Sequence, residues 1–343
     1  MDTGDFVKPT KLTVGEHLRD WVRDFVPAAV RPRTYEGYAM IVEKHLIPNL
    51  GHIALSQLQP AQIQKYYAKA LKDGRCDGKG GLSAQTVKHH HRVLSEAFFY
   101  AIRMNRVARN VAQAVTPPKP IRKDMNTLDE AGVDALLGAA KVTRYYSLIH
   151  LAVYTGLRRS ELLGLRWKDV YLYPATLSVT QVMHKLQGGR VVFMGPKTAY
   201  SRRQVALTPD SAINLRAHRE QQEQERAPIG LAIDGDSLVF SRMDGTPLPP
   251  ITVNHASGSM KRRAGISGIR LHDLRHTHAT LLMKQGVNPK IVQERLGHSS
   301  IAVTMDIYSR VIPGLQEAAA VGFDKGLRRH HNVVGLVGTL DSD

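Results

Sequence analysis

A proline-rich segment sets the strongest constraint on how this chain can fold. Residues 116–120 read TPPKP, and three prolines in five residues can continue neither a helix nor the middle of a sheet. Such a segment is extended and semi-rigid, which is typical of a linker between domains. The sequence therefore predicts one domain at residues 1–115, a linker at 116–126 and a second domain at 127–343, and a length of 343 residues suits two domains.

The first predicted domain is helical. Thr13 and Glu16 fit a capping box, and apolar residues follow them at helical spacing. Pro32 and Pro60 occupy positions at which a first-turn proline is tolerated, and Ser83 is a suitable cap for a long helix. These signals predict a bundle of four helices.

The second predicted domain mixes helices with strands. Thr127 and Glu130 suggest a capping box ahead of two helices. The stretch from residue 170 to residue 207 has a strand-like pattern, with residues 177–182 predicted to pair with residues 191–194 across a glycine turn. Helices resume after this small antiparallel sheet. The predicted fold class is therefore α+β and mainly helical.

Positive charge is the most informative part of the composition. The chain holds 47 Lys and Arg against 30 Asp and Glu, a formal net charge of +17. Residues 1–115 hold 17 basic and 10 acidic side chains, and the remainder holds 30 and 20, so both predicted domains share the surplus. A surplus of this size favours a polyanionic partner, most often nucleic acid. A ribosome-associated protein or a merely basic soluble protein is the alternative.

Secretion and membrane insertion find no support in the sequence. Cys76 is the single cysteine, so an intramolecular disulfide and a cysteine-rich zinc site are excluded, which fits a reducing cytoplasm. The longest apolar stretch, residues 148–157, is far shorter than the roughly 20 residues that span a bilayer. We expect a cytoplasmic protein associated with the nucleoid of a bacterium or of a phage-infected host.

Five short segments of the second domain carry unusual polar groups. Taken alone, each has a plain structural interpretation, such as a surface position for Arg158, a solvated turn for Lys197 and a core position for Tyr308. His276 and His278 suggest zinc, but side chains at i and i+2 of a helix point apart, so we predict no metal site. In chain order the segments are TGLRRSELLGLRW (155–167), PKTAYSRR (196–203), LHDLRHTHAT (271–280), LGHSS (296–300) and MDIYSR (305–310).

In this order and spacing, the five segments resemble the signature motifs of the tyrosine recombinase (phage integrase) family. The resemblance covers the whole second domain and, more loosely, the first, which is similar to the family's SAM-like core-binding domain. It implies a DNA breaking-rejoining fold with a small antiparallel sheet and an enzyme that needs no metal or other cofactor. It also implies six catalytic residues: Arg158, Lys197, His272, Arg275, His298 and Tyr308.

The residue types suit the implied chemistry. Arginine stays charged and donates two parallel hydrogen bonds to a phosphate, so Arg158 and Arg275 are expected to bind the scissile phosphate. By resemblance, Tyr308 is the nucleophile, His272 accepts or shuttles its proton, and Lys197 protonates the departing 5′ oxygen. His298 is expected at an exposed helix end, where by resemblance it would hydrogen-bond the phosphate and share the acid–base role. The product would be a 3′-phosphotyrosine linkage that a second 5′-hydroxyl can attack, giving strand exchange through a Holliday junction.

Other polar groups receive different expectations. We predict that Glu161 and Asp273 are orienting or structural groups and take no part in the chemistry. The run from His89 to His91 is predicted to face phosphate or solvent. The implied partners are double-stranded DNA with specific sites, a homotetramer on two duplexes that exchanges a C-terminal segment near 312–343, and accessory excision or DNA-bending proteins. Candidate DNA contacts are Arg33, Thr34, Tyr38, Thr86, Lys88, His89, Arg92, Arg202 and Arg203.

Several functional interpretations stay open at this point. The preferred one is integration or excision of a phage or other mobile element. An Xer-like or transposon resolvase, a type IB topoisomerase-like enzyme and a DNA-binding protein that no longer cuts are alternatives. About a dozen residues precede the first predicted helix, too few for the arm-binding domain of many integrases.

Overall fold

Two compact units make up the chain. The computed structural model describes residues 11–121, 125–311, 320, 321, 323 and 324, and gives only the backbone at residues 199 and 308–311. One unit is Met1–Asp124 with Leu186–Arg190, and the other is Met125–Lys185 with Val191–Asp343. Residues 116–121 carry neither helix nor strand. No helix in the described ranges combines the length and apolarity needed to cross a membrane.

Four helical rods form the first unit, as the sequence predicts. Two of these rods each contain a π-helical turn, Trp21–Phe25 in one and Val42–Leu46 in the other. The α-helices are α1 (Val14–Asp20), α2 (Val26–Ala29), α3 (Pro32–Ile41), α4 (Ile47–Leu50), α5 (Pro60–Asp73) and α6 (Ala84–Arg103).

The predicted helix starts in the first unit are confirmed. The Thr13 hydroxyl accepts the backbone N–H of Glu16 at 3.1 Å, and the Glu16 carboxylate accepts the N–H of Thr13 at 2.8 Å. Pro32 and Pro60 open their helices, and the Ser83 hydroxyl caps α6. Each cap satisfies an N–H group that the first helical turn leaves without a partner.

Apolar faces of the rods close around a core that includes Trp21, Leu46, Tyr67 and Phe98. The buried polar side chains of this unit include three histidines, His17, His45 and His90.

The prediction that the histidine run faces phosphate or solvent is wrong for two of its members. His90 is fully buried, and its Nδ1 lies 2.7 Å from the hydroxyl of Tyr66. His91 makes the same contact with Tyr67 at 2.9 Å, while His89 is exposed. Helical geometry explains the split, because consecutive residues point about 100° apart and only one part of α6 faces solvent.

Helices and two small antiparallel sheets form the second unit. The helix after the linker begins at Glu130 because the Asp129 side chain accepts the N–H of Gly132 at 2.8 Å, so the predicted cap at Thr127 is wrong. The helices are α7 (Glu130–Lys141), α8 (Tyr146–Thr155), α9 (Arg159–Leu162), α10 (Pro209–Arg226), α11 (Pro250–Arg263), α12 (Asp273–Lys284), α13 (Pro289–Leu296) and α14 (Ile301–Val311). The strands are β1 (Val170–Tyr171), β2 (Thr176–Val179), β3 (Val182–Lys185), β4 (Val191–Met194) and β5 (Arg203–Ala206).

Strand pairing differs from the sequence prediction. One sheet has the order β1-β2-β5, with Leu177 opposite Val205, and β3 pairs with β4 in a separate hairpin. The predicted partner of β4 is therefore wrong in part, since residues 177–179 belong to the other sheet. The chain leaves that sheet at Thr180 and Gln181, whose side chains bind Asp169 and the carbonyl of Gly164.

The core of the second unit surrounds α8, which is buried along most of its length. It includes Leu136, Ile149, Leu177 and Val239, from helices, a strand and a loop. This packing fixes the end of α8, where the first residues of the candidate site lie.

Candidate active site

Arg158 lies at a sharp turn between two helices. Helix α8 ends at Thr155 and is capped by Gly156, whose φ of +63° is the left-handed conformation that glycine adopts without strain. Arg158 follows as the residue that caps α9, and the Glu161 carboxylate accepts both its backbone N–H at 2.9 Å and its Nη1 at 2.7 Å. The guanidinium is thereby fixed while about a third of the side chain stays exposed.

Glu161 is a buried carboxylate shared by two arginines. Arg203 donates to both of its oxygens, with Nη1 at 3.2 Å from Oε1 and Nη2 at 3.0 Å from Oε2. Burial raises the pKa of Glu161, but Arg203 and Arg158 outweigh burial, so the net pKa lies below the ordinary value. Glu161 therefore stays ionised and orients Arg158, as its predicted role requires.

Arg203 does not fit its predicted role as a DNA contact. Its side chain is only 6% exposed, and its Nε donates to the carbonyl of Arg295 at 2.6 Å. Together with the bonds to Glu161, this bond keeps the Arg203 guanidinium inside the protein, so Arg203 is not a DNA contact. Its neighbour Arg202 is exposed.

Arg275 is the most deeply buried cation of the site. It lies on α12, is 3% exposed, and donates from Nη1 to the carbonyl of Gly156 at 2.8 Å and from Nη2 to that of Leu296 at 2.6 Å. Both carbonyls are at helix C-termini, where the helix dipole favours a cation. Burial and the repulsion of Arg158 lower the pKa of Arg275 to about 9, so the guanidinium remains charged at neutral pH.

Two arginines of this site, the partly exposed Arg158 and the buried Arg275, bind carbonyls at the C-terminus of α13. Arg158 donates from Nη2 to the carbonyl of Gly297 at 3.3 Å, one residue beyond the acceptor of Arg275. In the described part of the chain, Arg158, Arg203 and Arg275 surround a single carboxylate, Glu161. We call these four residues the arginine–glutamate cluster; its surplus positive charge suits a bound anion.

His298 lies directly beyond the end of α13. It is 8% exposed, so its predicted exposed position is wrong, because its Nδ1 packs against α14 at 2.9 Å from the Thr304 hydroxyl. Burial, then Arg275 and Arg158, lower the pKa of His298 to about 3. The ring is therefore neutral at physiological pH, and it has one N–H to donate.

His272 caps the start of α12 and is exposed. Its ring meets the ring of His276 edge-on, with the centroids 5.3 Å apart. Desolvation, His276 and Arg275 lower the pKa of His272. A neutral imidazole next to the arginine–glutamate cluster can accept a proton from a reacting hydroxyl.

Two polar neighbours have structural partners. Asp273 binds the backbone and guanidinium of Arg270, in keeping with its predicted orienting role. His278 is 8% exposed and accepts the Nε of Arg295 at 3.0 Å, and its burial lowers its pKa to about 3.

Lys197 makes no contact with this cluster among the described residues, and the contacts of Tyr308 lie outside them. Lys197 is exposed in the connection from β4 to β5. The same connection passes the end of α13, because a Cβ on Gly297 would lie 2.9 Å from the Tyr200 carbonyl. Tyr308 is on α14, but its side chain lies outside the described residues, as does most of the predicted exchange segment at 312–343.

The predicted DNA contacts are mostly exposed. In the first unit Tyr38 is half-buried and stacks on Trp21, with ring centroids 5.7 Å apart, and the Thr86 hydroxyl lies 2.9 Å from that of Ser83. The contacts with exposed side chains in that unit are Arg33, Thr34, Lys88, His89 and Arg92.

Two protein-family models match the sequence of this chain. A model described as the phage integrase family matches residues 126–313, more than half of the chain, and one described as the N-terminal SAM-like domain of phage integrase matches residues 13–71. The chain belongs to the phage integrase family. It is therefore a site-specific tyrosine recombinase, an enzyme that cleaves and rejoins DNA.

The relatives of this recombinase include proteins of bacteria and of phages. It is 30% identical over 322 residues to a XerC-like tyrosine recombinase of Caldanaerobacter subterraneus, which covers 88% of the chain and 80% of that protein. It is 27% identical over 297 residues to the ICEBs1 integrase of Bacillus subtilis, covering 86% of the chain and 78% of that protein.

Solved structures share the fold of the recombinase. The integrase of transposon Tn1549 in complex with a circular intermediate DNA has a TM-score of 0.75 and 21% identity, covering 92% of this chain and 99% of that one. A lambda integrase tetramer bound to a Holliday junction has a TM-score of 0.61 and 20% identity, with 88% and 80% covered.

Sequence reasoning gave Arg203 the wrong role and did not single out Thr304. Arg203 has the sequence context of a basic turn, and nothing in that context marks a buried partner for Glu161. Thr304 lies four residues before Tyr308, and that helical spacing was the one signal that could have singled it out.

Proposed function

We propose that Arg158, Arg275 and His298 bind the scissile phosphate while Tyr308 attacks it. The observation that carries this proposal is the convergence of two guanidinium groups and a neutral histidine at the C-terminus of α13, with a single buried carboxylate beside them. The surplus charge of the arginine–glutamate cluster is partly shielded from water. Charge-assisted hydrogen bonds to a phosphate oxygen are strong in such a place.

The reaction moves two protons and exchanges one P–O bond. The Tyr308 oxygen forms a bond to phosphorus as the bond to the 5′ oxygen breaks. The phenolic proton passes to His272, and the 5′ oxygen takes a proton from Lys197. The 3′-phosphotyrosine product keeps the energy of the original ester, so a 5′-hydroxyl reverses the step without another source of energy.

Integration or excision of a mobile element is the function that the relatives favour. Two of the similar proteins are the integrases of the elements ICEBs1 and Tn1549, and a lambda integrase tetramer has been solved on a Holliday junction. By analogy we propose specific double-stranded DNA sites, a homotetramer on two duplexes, accessory excision or bending proteins and a cytoplasmic location.

Xer-like resolution is a second candidate, favoured by the XerC-like relative at 30% identity. The two functions differ in the arrangement of their sites. A resolvase acts on two sites in one molecule, whereas an integrase also joins sites on separate molecules. Supplying both arrangements as plasmids and sizing the products separates them.

A suicide substrate tests the catalytic assignment. Nicked duplexes covering the DNA that flanks the gene are incubated with the protein, and the covalent adduct is separated by denaturing electrophoresis. Wild type forms the adduct and Tyr308→Phe forms none, because phenylalanine has no oxygen to attack phosphorus. An adduct with Tyr308→Phe overturns the assignment of the nucleophile.

The role of Lys197 has its own test. A substrate with sulfur in place of the bridging 5′ oxygen loses a thiolate, which needs no proton because a thiol has a pKa near 8.5. Lys197→Ala should cleave the normal substrate slowly and the sulfur substrate at the wild-type rate. Arg275→Lys is the matched control, since sulfur cannot replace a lost phosphate contact. Equal defects of Lys197→Ala on both substrates refute the acid role.

A further inference from the structure

Thr304 links the helix of the nucleophile to the phosphate site. It lies on α14, is fully buried, and its hydroxyl oxygen is 2.9 Å from Nδ1 of His298. Tyr308 follows four residues later on the same helix. Residues four apart share one helical face, so the contact with His298 lies one turn from the nucleophile on the side that Tyr308 occupies.

The hydroxyl of Thr304 has a chemical consequence for His298. A neutral imidazole carries one N–H, and the partner of one ring nitrogen decides which nitrogen keeps the proton. Donation from Thr304 to Nδ1 leaves the proton on Nε2, at the opposite edge of the ring. Burial and two nearby arginines keep the ring neutral, so its one proton must lie on either Nδ1 or Nε2.

We propose that Thr304 is a positioning residue whose hydroxyl holds His298 in the Nε2–H tautomer and fixes the Tyr308 helix against the phosphate site. The inference rests on the proposed roles of His298 and Tyr308. One hydrogen bond then makes the phosphate donor and the placement of the nucleophile depend on each other. A cleaving subunit needs both at the same moment.

The environment of Thr304 supports a specific role for its oxygen. A fully buried hydroxyl is costly unless it is hydrogen-bonded, and a valine of the same shape would fill an apolar site without that cost. Thr280 supplies a comparison within the same unit, because it is 3% exposed and its hydroxyl has no hydrogen-bond partner among the described residues.

Three variants separate the hydroxyl of Thr304 from its shape. Thr304→Val removes the hydroxyl and keeps the volume, Thr304→Ser keeps the hydroxyl, and Thr280→Val makes the same change at the matched control position. Single-turnover adduct formation on the nicked duplex should slow about tenfold or more in Thr304→Val. Thr304→Ser should recover most of the rate, Thr280→Val should match wild type, and DNA affinity should stay constant.

A double-mutant cycle tests whether Thr304 acts through His298. In a His298→Ala background, Thr304→Val should cause no further loss of rate, because the hydroxyl has lost its partner. Independent, multiplicative losses would give Thr304 a purely structural role and overturn the proposal. A wild-type rate for Thr304→Val would overturn it as well.

A spectroscopic readout keeps the proposal testable if Thr304→Val does not fold. Ring ¹⁵N shifts of His298 in the wild-type protein on its duplex should show a protonated Nε2 and an unprotonated Nδ1, and the reverse refutes the inference. Failure of the site assignment is distinguishable: an adduct with Tyr308→Phe refutes the site, whereas its absence together with an unaffected Thr304→Val refutes only the inference about Thr304.

Discussion

Glu161→Gln tests how far the site depends on one buried charge. The substitution keeps the size of the side chain and leaves an amide where two arginines now meet a carboxylate. Glu161 is 2% exposed at its side chain, Arg203 is 6% exposed, and Arg158 is one-third exposed. The variant therefore leaves a buried guanidinium without an anion and Arg158 without its orienting partner.

The expected loss follows from the burial of the pair. Removing one member of a buried ion pair costs about 3–5 kcal/mol, and the amide oxygen keeps part of the hydrogen bonding, which sets the loss at the lower end. For a domain of about 200 residues, a loss of about 3 kcal/mol lowers Tm by roughly 6–12 °C. The cleavage rate should fall as well, because Arg158 is no longer held in place.

Calorimetry with a matched control measures the loss. Glu223→Gln makes the same change at an exposed ion pair with Arg219, whose side chains are 49% and 42% exposed. That pair contributes about 0.5 kcal/mol or less, so its Tm should move by less than about 2 °C. Equal shifts for Glu161→Gln and Glu223→Gln would refute the electrostatic argument.

The dependence on pH gives a second signature. The pKa of Glu161 is lower in the folded protein than in the unfolded chain. Its contribution to stability is therefore complete above the unfolded value of about 4.3 and disappears as pH falls toward the folded value. The gap in Tm between wild type and Glu161→Gln should narrow below pH 4.5, and a constant gap would contradict the assignment of the shift.

Three further perturbations follow from the described contacts. Gly156→Ala should lower the free energy of unfolding by about 2–4 kcal/mol in a denaturant titration, because φ is +63° and a Cβ would lie 2.5 Å from Leu296 Cδ2. The control Gly138→Ala should be neutral or stabilising, because its Cβ would meet no described atom within 4 Å. Arg275→Lys should slow single-turnover cleavage by roughly 10²–10³, since lysine lacks the second donor of the fork, and a near-normal rate would exclude a phosphate contact. The pKa of His278 is about 3 in the folded protein, so between pH 6.5 and 3 only the unfolded state binds the extra proton. Stability therefore falls by up to about 1.4 kcal/mol for each unit that the pH drops in that window. His278→Gln should make the denaturant midpoint change less between pH 7 and 5.5.

Local signals in the sequence predicted the helical framework well. Helices begin at the predicted caps Thr13 and Ser83, whose side chains accept an N–H group of the first turn. Helices also begin at Pro32 and Pro60, because proline has no N–H group that would need a partner there. The predicted partner of β4 was wrong in part, because strand pairing depends on contacts between residues that are distant in the sequence. The bend at Thr180 is produced by Asp169, eleven residues earlier in the chain.

The candidate site shows the same division between local and distant information. Five motifs predicted that Arg158, Arg275 and His298 share one site, and all three lie near the C-terminus of α13. Their environments were not predictable, because burial of His298 depends on α14 and the buried state of Arg203 depends on Glu161, 42 residues away. A basic turn and a buried ion pair have the same appearance in a sequence until the partner is known.

The C-terminus of α13 has a consequence for the protein without DNA. Arg158 and Arg275, two of the three arginines around Glu161, repel each other, and burial together with that repulsion lowers the pKa of Arg275. An oxyanion bound between them removes the repulsion, and by mass action any ligand that prefers the folded state raises its stability. The recombinase is accordingly least stable when it is free, and sulfate or phosphate ions in a storage buffer should protect it against heat more than chloride at equal ionic strength.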